Sequence, residues 1–235
     1  VTRSRPAARV VLVVSLLALA LAGLGLAAWQ VQRRAWKHAL IEAVDSRSTA
    51  APVAAPGPDQ WPRIRQERDA YRRVAFTGRF AHDRETLVQA VTARGGGYWV
   101  LTPLVGERFT VLVNRGFVPP DRRDPATRAA GNPAGMVRIT GLLRITEPGG
   151  GFMRSNNAKA DRWYSRDVTA ITAARGLKRT APYFIDADAT PNQGGYPVGG
   201  LTVIRFSDNH AVYALTWLAL ALGCLLGAKL VWQRR

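Results

Sequence analysis

The two ends of the chain constrain it more than anything between them. Val10–Trp29 is a run of 20 residues without a charge, and Ala211–Ala228 is a second run of 18. A helix rises about 1.5 Å per residue, so each run can cross roughly 30 Å of hydrocarbon, the second with Lys229 snorkelling. Hydrophobic residues make up 47% of the chain, yet its mean hydropathy is only −0.07, which concentrates the apolar character at the ends. The expected class is an integral membrane protein. Two transmembrane α-helices at the chain ends flank an antiparallel β-rich α+β extracytoplasmic domain. A cleaved signal peptide is the competing reading of the first run, since Arg3, Arg5 and Arg9 precede it. Signal cores span about 7–15 residues, so the greater length here favours a retained anchor.

Charge sets the expected orientation. Lys229, Arg234 and Arg235 follow the second run and only Arg205 lies close before it, which puts the C-terminus in the cytoplasm. Two spans return the N-terminus to the same side, in agreement with Arg3, Arg5 and Arg9. Arg33, Arg34 and Lys37 after the first run oppose this, and the second run breaks the tie. The expected layout is a cytoplasmic tail at 1–9, a span at 10–29, and an interfacial helix with a Pro-rich linker at 30–63. A β-rich domain at 64–209, a second span at 210–229 and a tail at 230–235 complete it. The part between the spans holds 27 of the 33 basic residues and all 16 acidic ones, a net +11. That charge suits anionic lipid headgroups or an acidic partner, and outside the cytoplasm nucleic acid is not an expected partner.

Trp29–Val44 continues in helical spacing, and Pro52, Pro56, Pro58 and Pro62 then read as extended linker. From Tyr71 short β-type runs follow. Strands are expected at Tyr71–Phe80, Thr86–Val91, Tyr98–Val105, Phe109–Val113, Val137–Ile145 and Leu201–Phe206. Gly106-Glu107 reads as a hairpin turn, Val168–Arg175 as a helix closed by Gly176, and Asp121–Gly135 as a polar loop.

Recognisable catalytic chemistry is missing. One cysteine, Cys224, excludes an internal disulfide and a Cys-rich metal site, and three histidines leave little for a multi-histidine centre. Gly95-Gly96-Gly97 and Gly149-Gly150-Gly151 have no following Lys-Ser/Thr, so they read as turns. Asp186 and Asp188 form either a carboxylate pair or a solvent-facing strand end. Nothing makes a positive case for an enzyme.

A series of short motifs runs between the two apolar ends. It comprises Trp29-Gln30, Arg33, Trp36-Lys37, Gly78-Arg79-Phe80 and Val100–Leu104, then Val113-Asn114-Arg115-Gly116-Phe117-Val118-Pro119 and Gly141-Leu142-Leu143-Arg144 with Glu147. Phe152, Asn156, Pro182-Tyr183-Phe184-Ile185-Asp186 and Asn209-His210 with Tyr213–Trp217 complete it. In this order the chain resembles a bacterial member of the Surf1 (Shy1) family of cytochrome c oxidase assembly factors. Phe117 stands where the family usually has Trp, Ala27 where Gly often precedes the Trp-Gln pair, and Ala211-Val212 where a Leu-Gln-type pair is usual.

The resemblance implies a non-catalytic chaperone in the bacterial inner membrane, with a periplasmic domain. It would bind haem A and help to insert it into oxidase subunit I, with subunit I, haem A synthase and membrane lipids as partners. It implies His210 as a ligand to the haem iron, and the helical spacing would set Tyr213 and Trp217 beside the macrocycle. At 100° per residue, His210, Tyr213, Trp217 and Cys224 share a side with Ala214 and Ala221. Ala219, Gly223 and Gly227 fall opposite, a small-residue seam suited to another helix. Pattern alone favours His210 as an interfacial cap on the helix, with Tyr213 and Trp217 in an aromatic belt, and the resemblance reverses that. His38 lies near the same level, His82 reads as a surface residue, and Arg33, Arg34 and Lys37 suit haem propionates or headgroups. A scaffold for subunit I or haem A synthase that touches no haem is the alternative function, and an enzyme with an unrecognised site a third.

Overall fold

The structure is a computed structural model and describes residues 6–151, 153–204, 206 and 208–233. Arg3, Arg5, Phe152, Arg205, Arg234 and Arg235 therefore lie outside the described residues. The chain runs from helix α1 (Pro6–Thr49) to β1 (Val53–Ala54), α2 (Gln66–Asp69), β2 (Arg73–Phe80), β3 (Thr86–Thr92) and β4 (Gly95–Val105). Then come β5 (Thr110–Val118), β6 (Met136–Ile145), β7 (Gly150–Gly151), β8 (Arg154–Ser155), α3 (Val168–Ala174), β9 (Thr180–Ala187) and α4 (His210–Gln233). Two units result, one of residues 1–43 and 205–235 and the other of residues 44–204.

The first unit is an antiparallel helix pair. Both helices are long and apolar enough to cross a membrane, by length and composition. Up to Gln30, the less exposed positions on α1 are Arg9, Val13, Leu16, Ala20, Gly23, Ala27 and Gln30. On α4 they include His210, Ala214, Trp217, Ala221, Cys224, Ala228 and Val231, with Ala211 and Gly227 at the edge of that stripe. Alternating steps of four and three give a 3.5-residue period, that of a left-handed coiled-coil seam. Small side chains let the backbones approach. A Cβ on Gly23 would stand 3.1 Å from the Ala221 Cβ and 3.2 Å from the Trp217 carbonyl oxygen. Nearer the other end, the Arg9 guanidinium lies 5.7 Å from the Trp232 ring centre.

This corrects the expected seam at Gly223, while Gly227 keeps a contact with α1. A Cβ on Gly223 would meet nothing within 4 Å, and one on Gly227 would meet only Leu16, at 3.6 Å. Gly223 sits 200° from Ala221 on an ideal helix, so a contact centred on Ala221 turns it away. The contact runs instead through Ala221, with Ala228 buried seven residues on.

The second unit is a closed barrel with an extra flap. The sheet order is β1-β2-β6-β9-β5-β4-β3, and β2 also pairs with β4 through Arg79–Val105 and Phe80–Leu104. That pairing closes β2, β6, β9, β5 and β4 into a ring. Closure removes the exposed edges an open sheet would present. Five expected strands are present, and Phe109–Val113 belongs to a strand that runs on to Val118. The sheet is mainly antiparallel, with two departures from that expectation: β9 runs parallel to β5 and β1 parallel to β2. Parallel neighbours need a long crossover, and residues 119–179 supply one. The expected strand at Leu201–Phe206 does not form over 201–204, which are irregular. Strand β9 replaces it in the sheet.

Side-chain alternation divides the apolar residues into two cores. Val74, Leu104, Val111, Val113, Leu143, Tyr183 and Ile185 fill the barrel. Val88, Leu101, Leu112 and Phe184 lie on the outer side, covered by Trp163 and by Val168 and Ile171 of α3. The side chain of Asp167 accepts from the Ala170 amide at 3.0 Å and so caps α3. The proline-rich segment is tied down rather than free. The Pro56 carbonyl accepts from Tyr183 Oη at 2.8 Å and Trp61 Nε1 at 3.0 Å, and β1 pairs with β2.

Candidate functional site

Each unit carries a dense polar cluster. In the helix pair, Gln30, Arg34 and His38 recur every four residues on α1 and so share a face. His210 opens α4, and Asp208 stands two residues before it. Oδ1 of Asp208 accepts from the His210 backbone amide at 3.2 Å. Its Oδ2 accepts from His38 Nε2 at 2.7 Å and faces Arg34 Nε at 3.5 Å. Nδ1 of His210 lies 2.7 Å from Gln30 Oε1. An amide oxygen only accepts, so Nδ1 carries the proton and Nε2 keeps its lone pair. The His38 hydrogen bond, with the His210 amide and Arg34, holds the Asp208 carboxyl below its ordinary value.

The three residues expected at the site are not used alike. His210 and Trp217 face the helix seam, whereas Tyr213 is 55% exposed beside it. The face expected to hold an apolar macrocycle is thus largely the face that packs on α1. Arg34 is engaged with Asp208, and Arg33 stacks on Trp36, its guanidinium 4.0 Å from the ring centre. His38 shares the Asp208 carboxylate with the His210 amide. Reading α1 as a helix would have placed Gln30, Arg34 and His38 together. Nothing in the sequence pairs that face with Asp208.

The second cluster centres on Asp186 of β9, which is 2% exposed. Arg144 Nη1 approaches its Oδ2 at 2.6 Å, Arg166 Nη1 its Oδ1 at 3.1 Å, and Asn114 Nδ2 donates to Oδ1 at 2.7 Å. Thr202 Oγ1 donates to Oδ2 at 2.9 Å, and Glu147 takes a second bond from Arg166. Burial alone would pull the Arg166 guanidinium down, but Asp186 and Glu147 hold it above its ordinary value. This corrects the solvent-facing strand end: Asp186 is a buried hub. His82 is corrected likewise. It is half-buried, with Nε2 donating to the Pro133 carbonyl at 3.1 Å, and burial holds its pKa down.

The motif around Asn114 reads as structure. Asn114 turns outward to Asp186 and Arg115 inward. Gly116 has a φ of +127°, and a Cβ there would strike the Val198 carbonyl. Phe117 is 2% exposed, and its ring edge fills the space a Cβ on Gly97 would take.

The model of the SURF1 family matches residues 17–222, from within α1 to within α4. The chain belongs to the SURF1 family. Surfeit locus protein 1 of Rattus norvegicus is 36% identical over 213 residues, covering 83% of this chain and 67% of the relative. Surfeit locus protein 1 of Homo sapiens is 35% identical over 224 residues, covering 88% and 72%. A SURF1-like protein of Monosiga brevicollis is 34% identical over 223 residues, covering 88% and 82%. These SURF1 relatives are eukaryotic and do not bear out the expectation of a bacterial member. The SURF1 match takes in both polar clusters.

Proposed function

We propose that this chain is a non-catalytic assembly factor for cytochrome c oxidase, anchored in a membrane by α1 and α4. In this reading it binds haem A through His210 and assists its insertion into subunit I, with haem A synthase as a further partner. Membership of the SURF1 family supports the oxidase role, through the resemblance drawn from the motifs. Membrane anchoring is supported by apolar side chains left outside the helix seam, such as Leu21 at 73% and Leu215 at 67% exposed.

The observation that carries the haem reading is the Nδ1–Gln30 hydrogen bond. A histidine that ligates a metal commonly donates its other ring nitrogen to an oxygen, which fixes the tautomer and orients the ring. His210 is arranged in that way, with Nε2 as the ligating atom. Haem A is the cargo here. Tyr213 would lie beside it, and Trp217 would act from within the seam.

The test is the optical spectrum of the full chain purified from cells that make haem A. A Soret band is expected, lost in His210→Ala and shifted in Gln30→Leu, with Lys159→Ala unchanged. An unaltered spectrum and stoichiometry in His210→Ala would sink the haem reading. One observation favours the alternative scaffold: Trp217 and the small residues beside it already serve the contact with α1. That reading expects a colourless protein that still co-purifies with subunit I.

A further inference from the structure

A second site lies in the barrel domain, and its lining includes none of the side-chain partners of Asp186. At one mouth of the barrel is a cavity of about 230 Å³. Phe80, Val113, Val137 and Ile139 supply apolar wall, and Arg115 borders it. Arg115 is 3% exposed. Its Nη1 donates to Asn132 Oδ1 at 2.8 Å, its Nη2 to the Gly131 carbonyl, and its guanidinium carbon lies 4.9 Å from the Phe80 ring centre. His82 Nδ1 faces Nη1 at 3.5 Å, and with Nε2 as donor to Pro133 it offers a lone pair, not a charge. Among the described residues no carboxylate forms an ion pair with Arg115. The nearby Glu85 is engaged by Arg128, through Nη2 and through Nη1 at 3.1 Å.

A buried cation whose hydrogen-bond partners are all neutral is costly, and the through-space attraction of Glu85 is opposed by Arg128. Burial accordingly pulls the Arg115 guanidinium down to about 10. At the rim, Arg138 and Asp188 bring one charge of each sign. Oδ1 of Asp188 already accepts from the Thr190 amide and hydroxyl, at 3.1 and 2.6 Å. The net charge presented to the cavity is therefore positive, behind an apolar wall.

We propose that the barrel mouth binds a small monocarboxylate, its carboxylate toward the Arg115 guanidinium and its short apolar chain against Val137 and Ile139. A planar guanidinium matches a carboxylate better than a spherical anion. The same chemistry arises from a free short-chain acid or from the C-terminal carboxylate of a polypeptide. This inference is independent of the haem reading.

Ligand-observed NMR on the full chain in detergent tests it, with butyrate, N-acetylvaline and butanol as probes. Butyrate is expected to bind and butanol, which keeps the chain but not the charge, to fail. N-acetylvaline binding as tightly as butyrate would assign the source to a polypeptide end, and butyrate alone to a free acid. Arg115→Gln should abolish binding, but it also releases Gly131 and Asn132. Ile139→Phe therefore serves as the second variant, since it fills the mouth and leaves the guanidinium in place. It should weaken butyrate at least about tenfold. Equal behaviour of butyrate and butanol, or unchanged affinity in Ile139→Phe, would overturn the proposal and leave Arg115 as a loop anchor.

Discussion

Removing the Asp186 carboxylate would leave Arg144 and Arg166 with only the more exposed Glu147 shared between them. Breaking a buried pair by deleting one partner costs about 3–5 kcal/mol, because the other charge stays buried. Asp186→Ala should therefore lower the melting temperature of the full chain far more than Asp188→Ala, whose partner is the neighbouring Thr190. Circular dichroism melts of the two variants check this, and equal melts would remove Asp186 from its central role. At Asp208 the prediction concerns pH. Its carboxyl is held below the ordinary 3.8, chiefly by His38. A lowered folded-state pKa contributes stability that is present above the unfolded value and is lost as pH falls through the folded one. Protection of the His210 amide against hydrogen exchange should thus persist at 3.8 and fall only below it. Asp208→Ala should remove that protection throughout. Loss beginning well above 3.8 in the unmodified chain would contradict the assignment.

At the level of elements, the helix pair depends on which small residues lie in the seam. Gly23 has a backbone carbonyl and the Ala221 Cβ at contact distance, whereas Gly223 has open space. Overpacking a tight contact costs about 1–3 kcal/mol, and a side chain added in open space costs little of this kind. Gly23→Leu should loosen the pair, and Gly223→Leu should not. Cys224 lies on the seam and is the chain's one cysteine, so its reaction with a maleimide reports the opening. Faster labelling is expected in Gly23→Leu alone. The sequence showed both helices and their small residues but centred the seam on the wrong stripe. A 100° wheel ranks faces by composition, while packing selects the face whose backbone approach another helix can match. Strand β9 was hidden for a related reason. Pro182 and Asp186 look foreign to a central strand. Here Pro182 falls where the β5 pairing shifts register, and Asp186 is neutralised by arginines from other parts of the chain.

For the whole molecule, the testable statement is orientation. From Lys229, Arg234 and Arg235 against Arg205, the positive-inside rule predicts a central domain on the non-cytoplasmic side and both termini in the cytoplasm. Alkaline phosphatase inserted within Asp121–Gly135 should be active, and a cytoplasmic reporter at the same position should be silent. The reverse pattern would invert the assignment. The sequence alone determined the two apolar helices, most of the strands and, through an ordered series of short motifs, the family. Those features are local: they depend on hydrophobic run length, on alternation, and on residue order along the chain. The tertiary structure decided closure of the barrel, the parallel β5–β9 pairing, the face on which α1 and α4 meet, and the partners of Asp186, Asp208 and Arg115. Each of these joins residues far apart in the chain, such as Gln30 with His210 or Asn114 with Asp186. Such pairings depend on which surfaces can bury together while satisfying their polar groups, a condition set only when the whole chain is folded.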